Sequence, residues 1–419
     1  MTRSVTILTS GTRGDVQPYL ALGAGLQRAG VHVRIATHAP FAPLIHASGL
    51  LFTHVDGNPN DLFVQHPAAL TFDGDPIRSL HASWRYLQAA RPAFDRMLLS
   101  AWHACQGSDA LLVTLPTIWG ASMAERLGVP CVQAFVQPLT STAAFPSALL
   151  PVRRSIGSGY NRLTHTVIAV ALRIPWHAAI NRWRRRTLGL KPLRLIDAAQ
   201  QINRVPSIYG FSERVVARPA DWPQTHQISG YWFDDHDELW QPPADLLHFL
   251  RSDLPPIAIG FGSMAQGRMH RLLPIIRAAL DQIGRRAVLI GGFGDRHGAM
   301  FGAHEYAIDA VPHAWLFGQV AAVVHHGGAG TTAASLRAGV PTTIVPFGVD
   351  QFFWGERVAT LGVGPQPLPS RSLTAERLAR AIDQAVHDRQ MRQRADRLGQ
   401  QIRAENGVAR AVALVQKLI

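Results

Sequence analysis

Short apolar runs bounded by glycine, and separated by amphipathic stretches, open the chain. Residues 5–10 predict a buried strand, 18–29 a helix and 32–37 a second strand. Further strands are predicted over 110–114 and 131–135, with a helix over 118–127 between them. Alternation of this kind, with glycine-bearing connections, predicts a parallel sheet with crossover helices. From about residue 150 the alternation stops, and 158–188 reads as one long helix with two basic patches and a short apolar middle. A second alternating block begins near Pro256: strand 257–261, helix 271–283, strand 287–290, strand 322–325, helix 331–338, strand 342–346 and helix 350–361. The Pro- and Asp-rich segment 234–245 between the blocks reads as a linker. The pattern predicts an α/β protein with two Rossmann-like domains, their parallel sheets facing a central cleft. The domains are expected over 1–235 and 236–395, with 396–419 a C-terminal helix returning to the first.

Composition narrows the picture. A length of 419 residues accommodates two ordinary domains, and 47% hydrophobic with 16% charged residues fits a globular chain. Two cysteines, Cys105 and Cys131, are too few for a disulfide framework and suit a reducing compartment. The N-terminus lacks the basic start and long apolar core of a signal peptide, and the apolar stretch 167–174, interrupted by Arg173, is short for a membrane span. The expectation is a cytoplasmic protein, peripheral to a membrane at most.

The net charge of +13 is local: eleven Lys or Arg and no acid lie between Arg126 and Ile196, and the rest of the chain carries +2. No zinc-knuckle, helix-turn-helix or RNP-type pattern accompanies this basicity, so nucleic acid is not an expected partner. Anionic lipid head groups or an acidic ligand fit it equally well.

The most informative segment is 321–332, Ala-Ala-Val-Val-His-His-Gly-Gly-Ala-Gly-Thr-Thr. An apolar strand ends in a glycine-rich turn that opens a helix. Such a helix start presents unpaired N–H groups and the positive end of the helix dipole, which suits a diphosphate. A histidine at the strand end adds a hydrogen bond to a leaving phosphate. The competing reading is a tight strand-to-helix connection capped by Thr331. Beyond the helix, Asp350 and Gln351 follow the next strand, where ligands of open parallel sheets bind.

These residues, together with 11–18 (Gly-Thr-Arg-Gly-Asp-Val-Gln-Pro), 261–264 (Phe-Gly-Ser-Met), 311–317 (Val-Pro-His-Ala-Trp-Leu-Phe) and 181–190, resemble the UDP-glycosyltransferase superfamily, family 1 with the GT-B fold, and most of all its sterol glucosyltransferase-like branch. The resemblance runs over nearly the full length in the family's order. It implies inverting transfer from a nucleotide-activated sugar, with no cofactor and no metal ion. It implies that His326 binds a donor phosphate, with Gly328, Gly330 and Thr331 as loop contacts. Ser263 would lie beside the diphosphate, Val311 and Trp315 would help form the nucleobase pocket, and Asp350 and Gln351 would bind sugar hydroxyls. Trp315 also reads as an ordinary core aromatic, and His325 as a residue that completes the strand. Val349 stands where the family commonly has glycine.

An alcohol attacking an anomeric carbon needs a base. Asp15, just after the first strand, matches the acid of the family's motif and is the expected base; the alternative is a helix cap near Val16. Arg13 is expected to shape its loop. The acceptor side is expected from Phe135, Phe145 and Trp176, within a segment that mixes apolar residues with arginines. That mixture suits a hydrophobic small-molecule acceptor met near a membrane surface, or an ordinary core beneath a solvated basic face. Glucose transfer from UDP-glucose to a sterol, polyketide or other lipid is the leading expectation. Its rivals are rhamnosyl transfer from a dTDP donor to a hydroxy-fatty-acid lipid, a sugar-nucleotide epimerase, and a non-catalytic membrane-associated binding module.

Overall fold

The computed structural model describes residues 3–58, 76–151, 155–234, 240–262, 268–291, 299–300 and 304–419. In chain order the first half contains β1 (Ser4–Leu8), α1 (Arg13–Arg28), β2 (His32–Thr37), α2 (Ala42–Ala47), β3 (Leu51–His54), α3 (Pro76–Ala104), β4 (Ala110–Val113), α4 (Ala121–Leu127), β5 (Cys131–Phe135), α5 (Ser158–Arg186), α6 (Leu195–Arg204), β6 (Ser207–Tyr209) and β7 (His226–Ile228). The second half contains α7 (Ala244–Arg251), β8 (Ile257–Gly260), α8 (Met269–Ile283), β9 (Ala287–Ile290), β10 (Ala299–Met300), β11 (Glu305–Ile308), α9 (His313–Phe317), β12 (Ala322–His325), α10 (Ala329–Ala338), β13 (Thr342–Ile344), α11 (Gln351–Thr360), α12 (Ala375–His387), α13 (Arg389–Arg403) and α14 (Gly407–Leu418).

The N-terminal sheet runs β3-β2-β1-β4-β5-β6-β7, and every pair in it is parallel. The C-terminal sheet runs β10-β11-β9-β8-β12-β13; it is parallel except for the antiparallel edge strand β10. Strands covered on both faces are apolar throughout, as Ala110–Val113 shows. The strand order reverses between β1 and β4 in the first sheet and between β8 and β12 in the second. Crevices for ligands open at such points, beyond the carboxyl ends of the strands.

Several boundaries move. α1 starts at Arg13 rather than residue 18, because Asp15 is its third residue and reaches back to Thr12 in a capping box. α10 starts at Ala329, and α11 at Gln351 with Asp350 as its N-cap. The expected domain boundary at 395/396 falls inside α13; the chain crosses over after that helix instead. α14 then packs on the N-terminal domain, burying Ala411, Val412 and Val415 against the core that holds Leu22 and Leu26.

One apolar cluster joins the two domains: Tyr209, Phe211 and Trp222 of the first share it with Leu336, Trp354 and Val358 of the second. Arg357 of α11 adds two hydrogen bonds to the Val215 carbonyl, at 2.9 and 2.7 Å. The cleft between the sheets is therefore closed at its base by a packed interface.

Candidate active site

The turn after β12 is a glycine-lined cradle at the start of α10. His325 is buried, and its Nδ1 accepts the Gly327 N–H at 3.0 Å while Nε2 faces Ser335 Oγ at 3.5 Å. It therefore holds the turn, and His326 beside it is left with a buried Nδ1 that has no hydrogen-bond partner among the described residues. A Cβ on Gly328 would lie 2.5 Å from His326 Nε2, so a larger residue there would push the imidazole aside. Gly328 is the N-cap of α10 and has no side-chain cap bond, so the first-turn N–H groups of that helix are not satisfied by a side-chain cap. Gly330 is exposed and Thr331 half-buried on this turn.

His326 Nδ1 is buried without a hydrogen-bond partner among the described residues. Burial, with His313 as a second cause, lowers the His326 pKa to about 4; burial and the nearby Arg13 charge lower that of His313 to about 4 as well. Both rings are neutral at physiological pH, which leaves the cradle ready for a ligand that brings the charge itself. His313 stacks on Phe317 with ring centroids 4.7 Å apart. Val311 is buried beside Leu316 and Phe317, and Trp315 packs against Trp240 at 4.8 Å between centroids. Ser263 lies outside the described residues.

On the opposite wall, Asp15 sits past the end of β1. Its Oδ2 accepts from the Thr12 N–H at 2.8 Å and the Thr12 hydroxyl at 2.9 Å. A Cβ on Gly11, whose φ is +125°, would lie 2.4 Å from that oxygen, so the turn that presents Asp15 requires glycine. Burial raises the Asp15 pKa against the opposing effect of the Thr12 bonds. An acid shifted toward neutral pH is suited to proton transfer. The capping geometry and an available carboxylate thus coexist in one residue. Beneath it, the Ser10 hydroxyl donates to His38 Nε2 at 2.8 Å, and His38 Nδ1 donates to the Val55 carbonyl at 2.8 Å.

The turn after β13 meets this wall. Asp350 accepts from Trp354 Nε1 at 3.0 Å, and the side chain of Gln137, just beyond β5 in the other domain, lies near enough to favour its charged form. Burial, with the Asp15 charge as a smaller contribution, raises the Asp350 pKa to about 6. Gln351 Oε1 accepts the N–H groups of Phe347 at 2.7 Å and Gly348 at 3.2 Å, so its carbonyl is committed to the turn and its amide N–H₂ remains for a ligand. Val349 has φ +53°, the only positive value at a non-glycine among the described residues, and is 55% exposed.

The expected acceptor residues separate. Phe145 lies at the domain junction, its ring 5.6 Å from Phe353 of α11. Phe135 has no exposed surface and packs on Tyr209, and Trp176 packs on Phe94 of α3 in a different core cluster. Phe135 is enclosed because it serves the packing of the sheet, whereas Trp176 on α5 is half-buried. Gln137, His313 and Trp240 were not singled out in the sequence. The rule that residues just past parallel strands face the crevice would have found Gln137.

Two sheets whose reversal points face each other, with a glycine cradle on one side and a carboxylate on the other, define the GT-B class. Residues 5–146 match the Glycosyltransferase family 28 N-terminal domain, and 305–418 match the Erythromycin biosynthesis protein CIII-like C-terminal domain. The chain is 38% identical to a sterol 3-beta-glucosyltransferase of Aspergillus oryzae over 99% of its own length, and 40% identical to one of Penicillium rubens over 97%. It spans about 30% of the length of each of these relatives. Among solved structures, the calicheamicin glycosyltransferase CalG4 superposes with a TM-score of 0.71 at 20% identity, covering 100% of this chain and 98% of that one. The glycosyltransferase VinC in complex with dTDP gives 0.66 at 20% identity, covering 99% and 98%. The two parts of the chain thus match glycosyltransferase-family domains, and the chain is similar over nearly its full length to sterol 3-beta-glucosyltransferases.

Proposed function

We propose that the chain transfers glucose from UDP-glucose to a hydroxyl of a lipophilic acceptor such as a sterol, polyketide or lipid, with inversion and with no metal ion taking part. The observation that carries this reading is the pairing across one cleft of the α10 cradle, with its buried and unpartnered His326 nitrogen, and the Asp15 carboxylate. In the proposed reaction the acceptor oxygen bonds to the anomeric carbon as its proton passes to Asp15 Oδ1, the oxygen that Thr12 does not engage. The bond from the anomeric carbon to the diphosphate oxygen breaks on the opposite face, and UDP leaves with that electron pair. The N-terminal N–H groups of α10 and His326 stabilise the departing charge. Asp350 and the Gln351 amide bind sugar hydroxyls. The names of the 38–40% identical relatives support a glucosyl donor and a sterol-like acceptor. The dTDP complex of VinC supports a nucleoside diphosphate in this fold. A lipophilic acceptor partitions into lipid, so the enzyme works in the cytoplasm at a membrane boundary.

Calorimetric titration with UDP-glucose, UDP-galactose, UDP-N-acetylglucosamine and dTDP-rhamnose tests the donor, followed by product analysis on detergent-dispersed sterols. Tight binding of UDP-glucose with sterol glucoside formed is the expected result. Preference for dTDP-rhamnose establishes the rhamnosyl alternative instead, and the absence of binding by any nucleotide sugar overturns the reading.

A further inference from the structure

The outward face of α5 has the wrong chemistry for a helix that meets only water. Its inward face is anchored: Asn161 Nδ2 donates to the Ala143 carbonyl at 2.7 Å, and Arg173 Nη2 donates to Gln201 Oε1 at 2.7 Å, both residues being buried. Ile180 and Trp183 fill the core alongside Phe94. The opposite face, at helical spacing, carries Leu163, Val167, Ala171 and Ile174, with side chains 59%, 51% and 58% exposed for the three large residues. Ile156, just before the helix, is 78% exposed. A solvent-facing helix surface is ordinarily polar, and a contiguous apolar stripe marks an interaction site.

The basic stretch resolves into two sets. Arg162 pairs with Asp221, Arg182 with Asp95 and Arg184 with Glu125, and Arg173 is held internally. Arg185, Arg186, Lys191 and Arg194 are exposed and follow one another at the C-terminal end of the stripe. No acid occurs between residues 126 and 196 to oppose them.

We propose that this face of α5 docks on an anionic lipid bilayer, the apolar stripe entering the acyl boundary and the basic cluster meeting the head groups. By length and composition α5 would suffice to cross a membrane. Its anchored polar residues instead keep it against the domain, lying along the interface. Charge selects the occupant: a second copy of a chain carrying +13 would be repelled, while an anionic surface is attracted. The proposal rests on the lipophilic-acceptor reading only for its purpose, which is to bring the cleft to a lipid-borne acceptor.

Vesicle flotation of the full chain tests it, comparing phosphatidylcholine vesicles with and without phosphatidylglycerol at low and high salt. Binding is expected only with the anionic lipid, and it weakens as salt rises. The double variant Arg185→Glu/Arg186→Glu should bind at least about 25-fold more weakly, at about fivefold for each basic residue removed. The triple variant Leu163→Ser/Val167→Ser/Ile174→Ser should lose binding while keeping its melting curve and its turnover of detergent-dispersed acceptor. Should that variant melt early, Val167→Cys bearing a polarity-sensitive fluorophore gives a second readout, a blue shift on anionic vesicles. Wild-type protein that stays unbound at low salt, a triple variant that floats like wild type, or a fluorophore that does not shift overturns the docking surface. Transfer activity without flotation sinks the docking alone, and flotation without any transfer sinks the enzymatic reading alone.

Discussion

Gln137, two residues past the end of β5, lies near enough to Asp350, the N-cap of α11, to favour its charged form, and so the N-terminal sheet meets the turn after β13. The two side chains approach each other at the cleft where the sugar is proposed to sit. Asp350 is held there with its pKa raised to about 6, by burial first and by the Asp15 charge to a smaller extent. The carboxylate is therefore a group whose ionisation a ligand can shift.

That shift has a defined sign for stability. An acid whose folded pKa lies above its unfolded value of 3.8 contributes stability that is full below that value and is lost as pH rises through about 6. Asp350→Asn removes the titration. The unfolding free energy of wild type relative to the variant should fall between pH 4 and 7 by at most about 3 kcal/mol. Denaturant titrations across that range measure it, and a difference that does not vary with pH would show that Asp350 titrates normally.

Asp15→Asn keeps an oxygen able to accept from Thr12, so the capping box and the fold should survive. Loss of the base should lower kcat by about 10²–10⁴ with a small change in donor affinity. Steady-state kinetics beside a thermal melt separates the outcomes. Undiminished turnover with an intact melt would leave Asp15 as a cap alone.

The strands that form the two sheets were legible where they are continuous apolar runs, as at Ala110–Val113 and Ala322–His325. β11 was hidden because it opens on Glu305, a buried acid that Arg277 pairs at 2.9 Å. β6 and β7 are three residues each, too short for a period to register. The start of α1 was masked by Gly14 and Pro18, both of which read as breakers while the Thr12–Asp15 box overrides them. The glycine turn between β12 and α10 was legible because it is contiguous. The approach of Gln137 to Asp350 was not, because it brings together residues distant in sequence through the packing of two domains. Charge counting likewise saw the basic stretch but not that Arg162, Arg182 and Arg184 are already paired.

The two adjacent histidines should separate under mutation. His325 bonds its own turn and is buried, so His325→Ala should lower the melting temperature and weaken UDP binding only through the loop. His326 spends no hydrogen bond from Nδ1 on the described protein, so His326→Ala should leave the melt nearly unchanged. It should weaken UDP binding by about 10- to 100-fold, the range for a hydrogen bond to a charged group. Calorimetry with UDP on both variants decides; equal affinity for wild type and His326→Ala would remove that residue from the phosphate site.

Val349 carries a β-branched side chain at φ +53°, beside Asp350 and on a turn whose N–H groups at Phe347 and Gly348 are fixed by Gln351. A left-handed backbone costs a non-glycine residue about 1–2 kcal/mol. The turn is therefore held against a local preference, and strain retained beside a ligand site points to a functional constraint. Val349→Gly relieves the steric term but adds backbone freedom to the unfolded chain, worth about 0.4–1 kcal/mol in the other direction. The net expectation is a stabilisation of up to about 1.6 kcal/mol, seen as an upward shift in denaturant midpoint at unchanged slope. Because the side chain is half exposed at the sugar end of the cleft, the same variant should broaden donor use, lowering the ratio of kcat/KM for the preferred sugar to that for its epimers. A stabilised variant with unaltered donor ratios would show that the valine is strained but does not read the sugar. A destabilised variant would show that contacts of the valine outweigh its backbone cost.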